Sequence, residues 1–67
     1  MPQANATTQH RILRALASGP LYEGALGLIL GWPSNMRREL RRLQDAGLIE
    51  RDPNRDGLTW RLRDADA

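Results

Sequence analysis

At Gly47 the hydrophobic pattern of the chain changes period, and that change limits the folds open to it. Before it, Met36, Leu40 and Leu43 fall within a narrow arc at 100° per residue, the stripe of an amphipathic helix. After it, Leu58, Trp60 and Leu62 alternate with Thr59, Arg61 and Arg63, the period of a strand with one buried face. Glycine at 47 suits the left-handed position that ends a helix. Two extended runs flank "DPNRDG" (52–57), which consists of turn-forming residues. The pattern predicts a helix over 34–46, then a β-hairpin with Arg55 near its tip. The fold class is therefore mainly α with a small β-hairpin, an α+β chain.

Upstream the signals are helical. In "TTQHRILRALASGP" (7–20), Ile12, Leu13, Leu16 and Ala17 recur at helical spacing behind Thr7 or Thr8 as N-cap. Gly19-Pro20 stops that run, giving a first helix over roughly 8–18. Leu21-Tyr22 is a brief extended piece. "EGALGLILG" (23–31) is a weaker helix, because Gly24 and Gly27 each cost up to about 1 kcal/mol against alanine. Leu26 and Leu30 share one face of it, and Leu28, Ile29 and Trp32 cannot all share that face. Gly31-Trp32-Pro33 makes a tight turn, and Pro33 or Ser34 opens the third helix.

A chain of 67 residues makes one small domain. Domains near this length bury only about 60% of the surface their unfolded chain exposes. With no cysteine, and His10 as the lone histidine, neither a disulfide nor a conventional zinc site can staple the fold. Stability must come from efficient local packing or from self-association. The expected layout is a disordered lead over 1–6, a folded domain over 7–63 and an acidic tail over 64–67. The longest apolar run, "ALGLILGW" (25–32), is too short to span a bilayer. An enzyme is the least supported class, with no cysteine nucleophile, no partnered histidine, no phosphate loop and no metal-ligand cluster. No catalytic residue, metal or cofactor is expected.

The order helix, short strand, helix, tight turn, helix, glycine, strand, turn, strand resembles the winged helix-turn-helix regulators, most closely their MarR-like and ArsR-like branches. The residues that carry the likeness are "ILRALASGPL" (12–21), "PSNMRRELRRLQDAGLIERD" (33–52) and "LTWRL" (58–62), with "LRRLQDAGLIER" (40–51) the most specific. The resemblance implies three helices plus a two- or three-stranded wing. It also implies that the third helix enters the major groove of double-stranded DNA, with the wing on the backbone or minor groove. By position, Ser34 and Asn35 would approach phosphates or base edges, Arg37, Arg38 and Arg41 would face the groove, and Arg55 would be the wing-tip contact. The family usually has a small polar residue where Arg37 stands. Its members usually add terminal helices that form a dimer, often beside a ligand pocket, and neither those helices nor a small-molecule effector is evident in this sequence.

Charge points the same way. All ten basic residues are arginine, and eight of them lie between Arg37 and Arg63. Over 34–63 they face five acids, a local charge of +3. In "RRELRRL" (37–43), Arg37, Arg38, Arg41 and Arg42 lie opposite or flanking the apolar stripe. The planar fork of arginine pairs bidentately with phosphate and with the O6/N7 edge of guanine. The plainer alternative is a solvated face braced by helical pairs such as Arg41–Asp45, each worth only about 0.2–0.5 kcal/mol. The reading is a small, cytoplasmic, bacterial or phage-encoded transcriptional regulator, with Arg42 joining Ser34 and Asn35 on phosphates. One module is expected to bind weakly alone; a homodimer on a palindromic site would remedy that, with Leu28, Ile29 and Trp32 as the candidate self-association surface, the equal alternative being that the second helix is irregular at its glycines and buries them. The alternative is a protein-interaction module in which that apolar patch and the arginine face dock a partner.

Overall fold

The computed structural model describes residues 7–53, 55 and 58–63. Among them the chain forms three helices and three strands: α1 (Thr8–Leu16), β1 (Leu21–Tyr22), α2 (Glu23–Leu30), α3 (Met36–Asp45), β2 (Ile49–Arg51) and β3 (Thr59–Leu62). The strands form one antiparallel sheet in the order β1-β3-β2. The lead over 1–6, the tail over 64–67, and Asn54, Asp56 and Gly57 of the expected turn lie outside the described residues.

Caps and turns fix the helix ends. The Thr7 hydroxyl accepts from the His10 amide at 3.1 Å and opens α1. α1 closes at Leu16, earlier than the pattern predicts, because its last turn tightens. The amides of Ser18 and Gly19 donate to carbonyls three residues back, on Ala15 and Leu16. α3 begins at Met36 rather than Ser34, since Ser34 and Asn35 form a turn and the Met36 amide donates to the Pro33 carbonyl at 3.0 Å. Its C-terminus closes as expected on Gly47, whose φ is +79°. The Gly47 amide donates to Gln44 and the Leu48 amide to Leu43, both at 3.0 Å, the paired bonds of a Schellman turn.

The core runs between the helices and one face of the sheet. Ile12 and Leu16 of α1, Leu26 and Leu30 of α2, and Met36, Leu40 and Leu43 of α3 are buried with Ile49 and Trp60 of the sheet. Strand β3 sits between its two neighbours, with Trp60 opposite both Leu21 and Arg51. The alternation expected along β3 holds for Trp60 but fails for its neighbours. Thr59 is buried, and Leu58 and Leu62 are exposed. β1 covers only residues 59 and 60 of β3, so among the described residues Leu62 pairs with Ile49 on one side and with no strand on the other. Leu58 precedes the strand and contributes its carbonyl, which accepts from the Glu23 amide at 3.2 Å.

Gly27 has a specific structural use. A Cβ built there would lie 2.5 Å from three indole carbons of Trp32, so only glycine lets that ring lie against α2. Gly31 (φ +79°) and then Trp32 itself (φ +53°) take left-handed conformations, and both their amides donate to the Gly27 carbonyl. That double turn folds the indole back over the helix. No helix among the described residues is long and apolar enough to cross a membrane.

Candidate nucleic-acid interface

The solvent face of α3 carries four arginines because its opposite side is committed to the core. With Met36, Leu40 and Leu43 inward, the 100° step puts Arg37, Arg41, Arg38 and Arg42 in sequence around the outer arc. The structure therefore brings these four expected site residues onto one surface.

Two glutamates hold that arc along its borders. On one border stands Glu39, only 6% exposed. Its Oε1 accepts from the Gln9 amide of α1 at 2.6 Å. Its Oε2 pairs with Arg38 Nε at 3.2 Å and with Arg42 Nη1 at 3.6 Å. The Gln9 hydrogen bond, with further contributions from Arg38 and Arg42, holds the Glu39 carboxyl below the ordinary glutamate range, against the opposing effect of desolvation. On the other border, Glu23 in the first turn of α2 gathers donors from three elements. Arg37 Nε lies 3.5 Å from its Oε2, and Arg51 Nη2 and Trp60 Nε1 lie 3.9 and 3.3 Å from its Oε1. The Arg51 guanidinium also stacks on Trp60, 4.3 Å from the ring centroid.

Arg41 lies between these borders and has no ion pair among the described residues. The helical Arg41–Asp45 pair weighed from the sequence is not formed. The side chains of Arg37, Arg38 and Arg42 remain 87%, 64% and 63% exposed. The glutamates thus steer three guanidinium groups and leave their outer edges open to solvent. Beside them an open groove of about 740 Å³ runs between α3 and the sheet, lined by Arg37, Arg41, Gln44, Arg51 and Trp60 with the two acids Glu23 and Asp45.

The other expected site residues are placed differently. Ser34 is exposed in the turn before α3. Asn35 is directed toward α1, where its Oδ1 accepts from the Thr8 hydroxyl at 2.9 Å. Arg55 follows β2 and folds back, with its Nε 3.4 Å from the buried carboxylate of Asp52. Arg61 bridges Glu50 and Asp52 at 2.6 and 3.5 Å, so it braces the β2–β3 pair. On α2, Leu28 and Ile29 are 76% and 57% exposed, and Trp32 is 55% exposed despite its contact with Gly27. Trp32 packs on Gly27, and Ile29 lines a shallow cavity beside α1.

Glu23, Glu39 and Asp52 organise the arginines, and the sequence offered only one of their pairs, the helical reach of Glu39 to Arg42. Glu39 carried a signal. It lies only 40° from Leu43 on the helical wheel, inside the margin of the buried stripe. Glu23 carried none, since its partners Arg37, Arg51 and Trp60 come from distant elements, and Asp52 carried none because its burial depends on the sheet. No protein-family model, curated protein or solved structure matches the chain.

Proposed function

We propose that the chain is a winged helix-turn-helix domain that binds double-stranded DNA as a small transcriptional regulator of the MarR-like or ArsR-like kind. In this reading α3 enters the major groove through Arg37, Arg38 and Arg41, and Arg42 and the Ser34–Asn35 turn approach the backbone. The β2–β3 hairpin with Arg55 forms the wing. The element order and the antiparallel sheet are compatible with that architecture. The observation that carries the reading is the arginine arc of α3, with three guanidinium groups aimed by carboxylates at their bases and Arg41 left without one. Aimed, exposed arginines pair with phosphates and guanine edges at a smaller ordering cost than free ones.

The test is fluorescence anisotropy of labelled random duplex DNA at about 50 and 200 mM salt. Contact with four to six phosphates weakens binding about 10²- to 10³-fold across that range. Replacing Arg38 and Arg41 together with alanine removes the binding and leaves the far-ultraviolet circular dichroism unchanged. A flat salt response, or full affinity in the double variant, overturns the proposal.

A further inference from the structure

The α1–α2 side of the molecule shares no lining residue with the groove beside α3, and its chemistry is different. A shallow cavity of about 330 Å³ lies there, lined by Arg11, Arg14, Ala15, Ile29 and Leu30. Its floor is aliphatic, and Ile29 and the adjacent Leu28 extend that apolar surface to the outside of α2. Its rim is cationic. Arg11 donates one Nη2–H to the Leu30 carbonyl at 2.9 Å, which caps the C-terminal end of α2 and fixes the guanidinium at the cavity edge. Arg14 makes no ion pair among the described residues.

Among the described residues no carboxylate pairs with either arginine. From Thr7 to Arg38 the sequence contains a single acid, Glu23, and that carboxylate is engaged with Arg37, Arg51 and Trp60. We propose that the α1–α2 groove docks an acidic amphipathic segment of a partner protein, whose aliphatic side chains fill the space against Ala15, Ile29 and Leu30 while its carboxylates pair with Arg11 and Arg14. Charge selects this occupant over a second copy of the chain. A two-fold contact would bring the arginine rim against its own image, like charge on like charge. The concave shape selects a ridge of side chains over a flat lipid surface.

The probe is a fluorescein-labelled peptide of about 16 residues with leucines at helical spacing and glutamates elsewhere. It is titrated against the whole protein by anisotropy, beside a matched leucine–lysine peptide. The acidic peptide binds and the basic one does not. Arg14→Glu weakens the complex by about tenfold or more, and Ile29→Glu does the same. Both positions are exposed, so both variants keep the wild-type circular dichroism. In nuclear magnetic resonance spectra the peptide shifts the amides of Ala15, Ile29 and Leu30 and leaves those of Arg41 and Gln44 in place. That separates this site from the α3 face, and the result stands whether or not the protein binds DNA. Four results overturn the proposal: no peptide binding, binding indifferent to Arg14→Glu, capture by anionic phosphatidylserine vesicles in place of the peptide, or a concentration-dependent dimer that Ile29→Glu dissociates.

Discussion

The contact between Gly27 and Trp32 makes a prediction with a sign that depends on context. Gly27→Ala inside an α-helix ordinarily stabilises by about 1 kcal/mol, because alanine loses less backbone entropy. Here the new methyl group would meet three indole carbons at 2.5 Å, well inside contact distance. The ring is half exposed, so it can swing away, and the cost is the burial it gives up. A tryptophan buries some 150–250 Å² in full, so roughly 100 Å² is at stake, or about 2–3 kcal/mol as an upper value. Gly27→Ala in the wild-type chain should therefore destabilise by about 1–2 kcal/mol. In a Trp32→Ala background the obstacle is gone, and the same substitution should stabilise by about 1 kcal/mol. Urea denaturation followed by circular dichroism measures both. Emission gives an independent check, since the Trp32 contribution shifts to the red in Gly27→Ala while buried Trp60 stays blue. If Gly27→Ala stabilises equally in both backgrounds, the indole does not lie on Gly27 and the reasoning fails.

Three further substitutions probe the glutamate borders and the core. The Glu39 carboxyl is held below its ordinary pKa, so its contribution is complete above the unfolded-state value and is lost as the pH falls through the depressed folded value; urea midpoints taken from neutral into acid should decline through that window and decline less in Glu39→Gln. Glu23→Gln keeps an acceptor for Trp60 Nε1 but releases Arg37 and Arg51 from a negative charge. It should cost less than about 1 kcal/mol of stability and, on the DNA-binding reading, tighten random duplex binding several-fold by anisotropy, whereas weaker binding would show that Glu23 is needed to aim those arginines. Leu43→Ala should cost about 2–5 kcal/mol, a large share of the roughly 3–10 kcal/mol expected for a domain of this length, and its dispersed amide spectrum should collapse toward that of an unfolded chain.

The parts of this fold legible in the sequence are those set by local rules. Periodicity and Gly47 placed α3 and its buried stripe, and Gly19-Pro20 placed the end of α1 to within two residues. Turn chemistry placed the β2–β3 pairing. What could not be read depends on elements distant in the chain. Thr59 is buried because β3 is the central strand, which no alternation pattern states. Asn35 turns inward because Thr8 of α1 lies beside it, and Glu23 draws in Arg51 and Trp60 from the sheet. The site was legible to the same degree: the arc of arginines and the reach of Glu39 to Arg42 follow from the helical wheel, whereas Glu23 is brought to the arc by packing. Gly27 read as a propensity defect, and its role shows only once the backbone has turned Trp32 back onto the helix.

The position of β3 at the centre of the sheet also bears on the order of events during synthesis. Its partners β1 and β2 emerge first, and in the described structure neither pairs with the other. Until residues 59–62 clear the ribosome, the apolar faces of the three helical segments lack Trp60, and the two short strand segments have no ladder to join. The pairing of Leu21 with Trp60 closes a long loop, so the sheet cannot be completed before β3 is available. Completion of the sheet therefore waits on a handful of residues. A ribosome stalled just before that strand would display an adhesive, protease-sensitive intermediate.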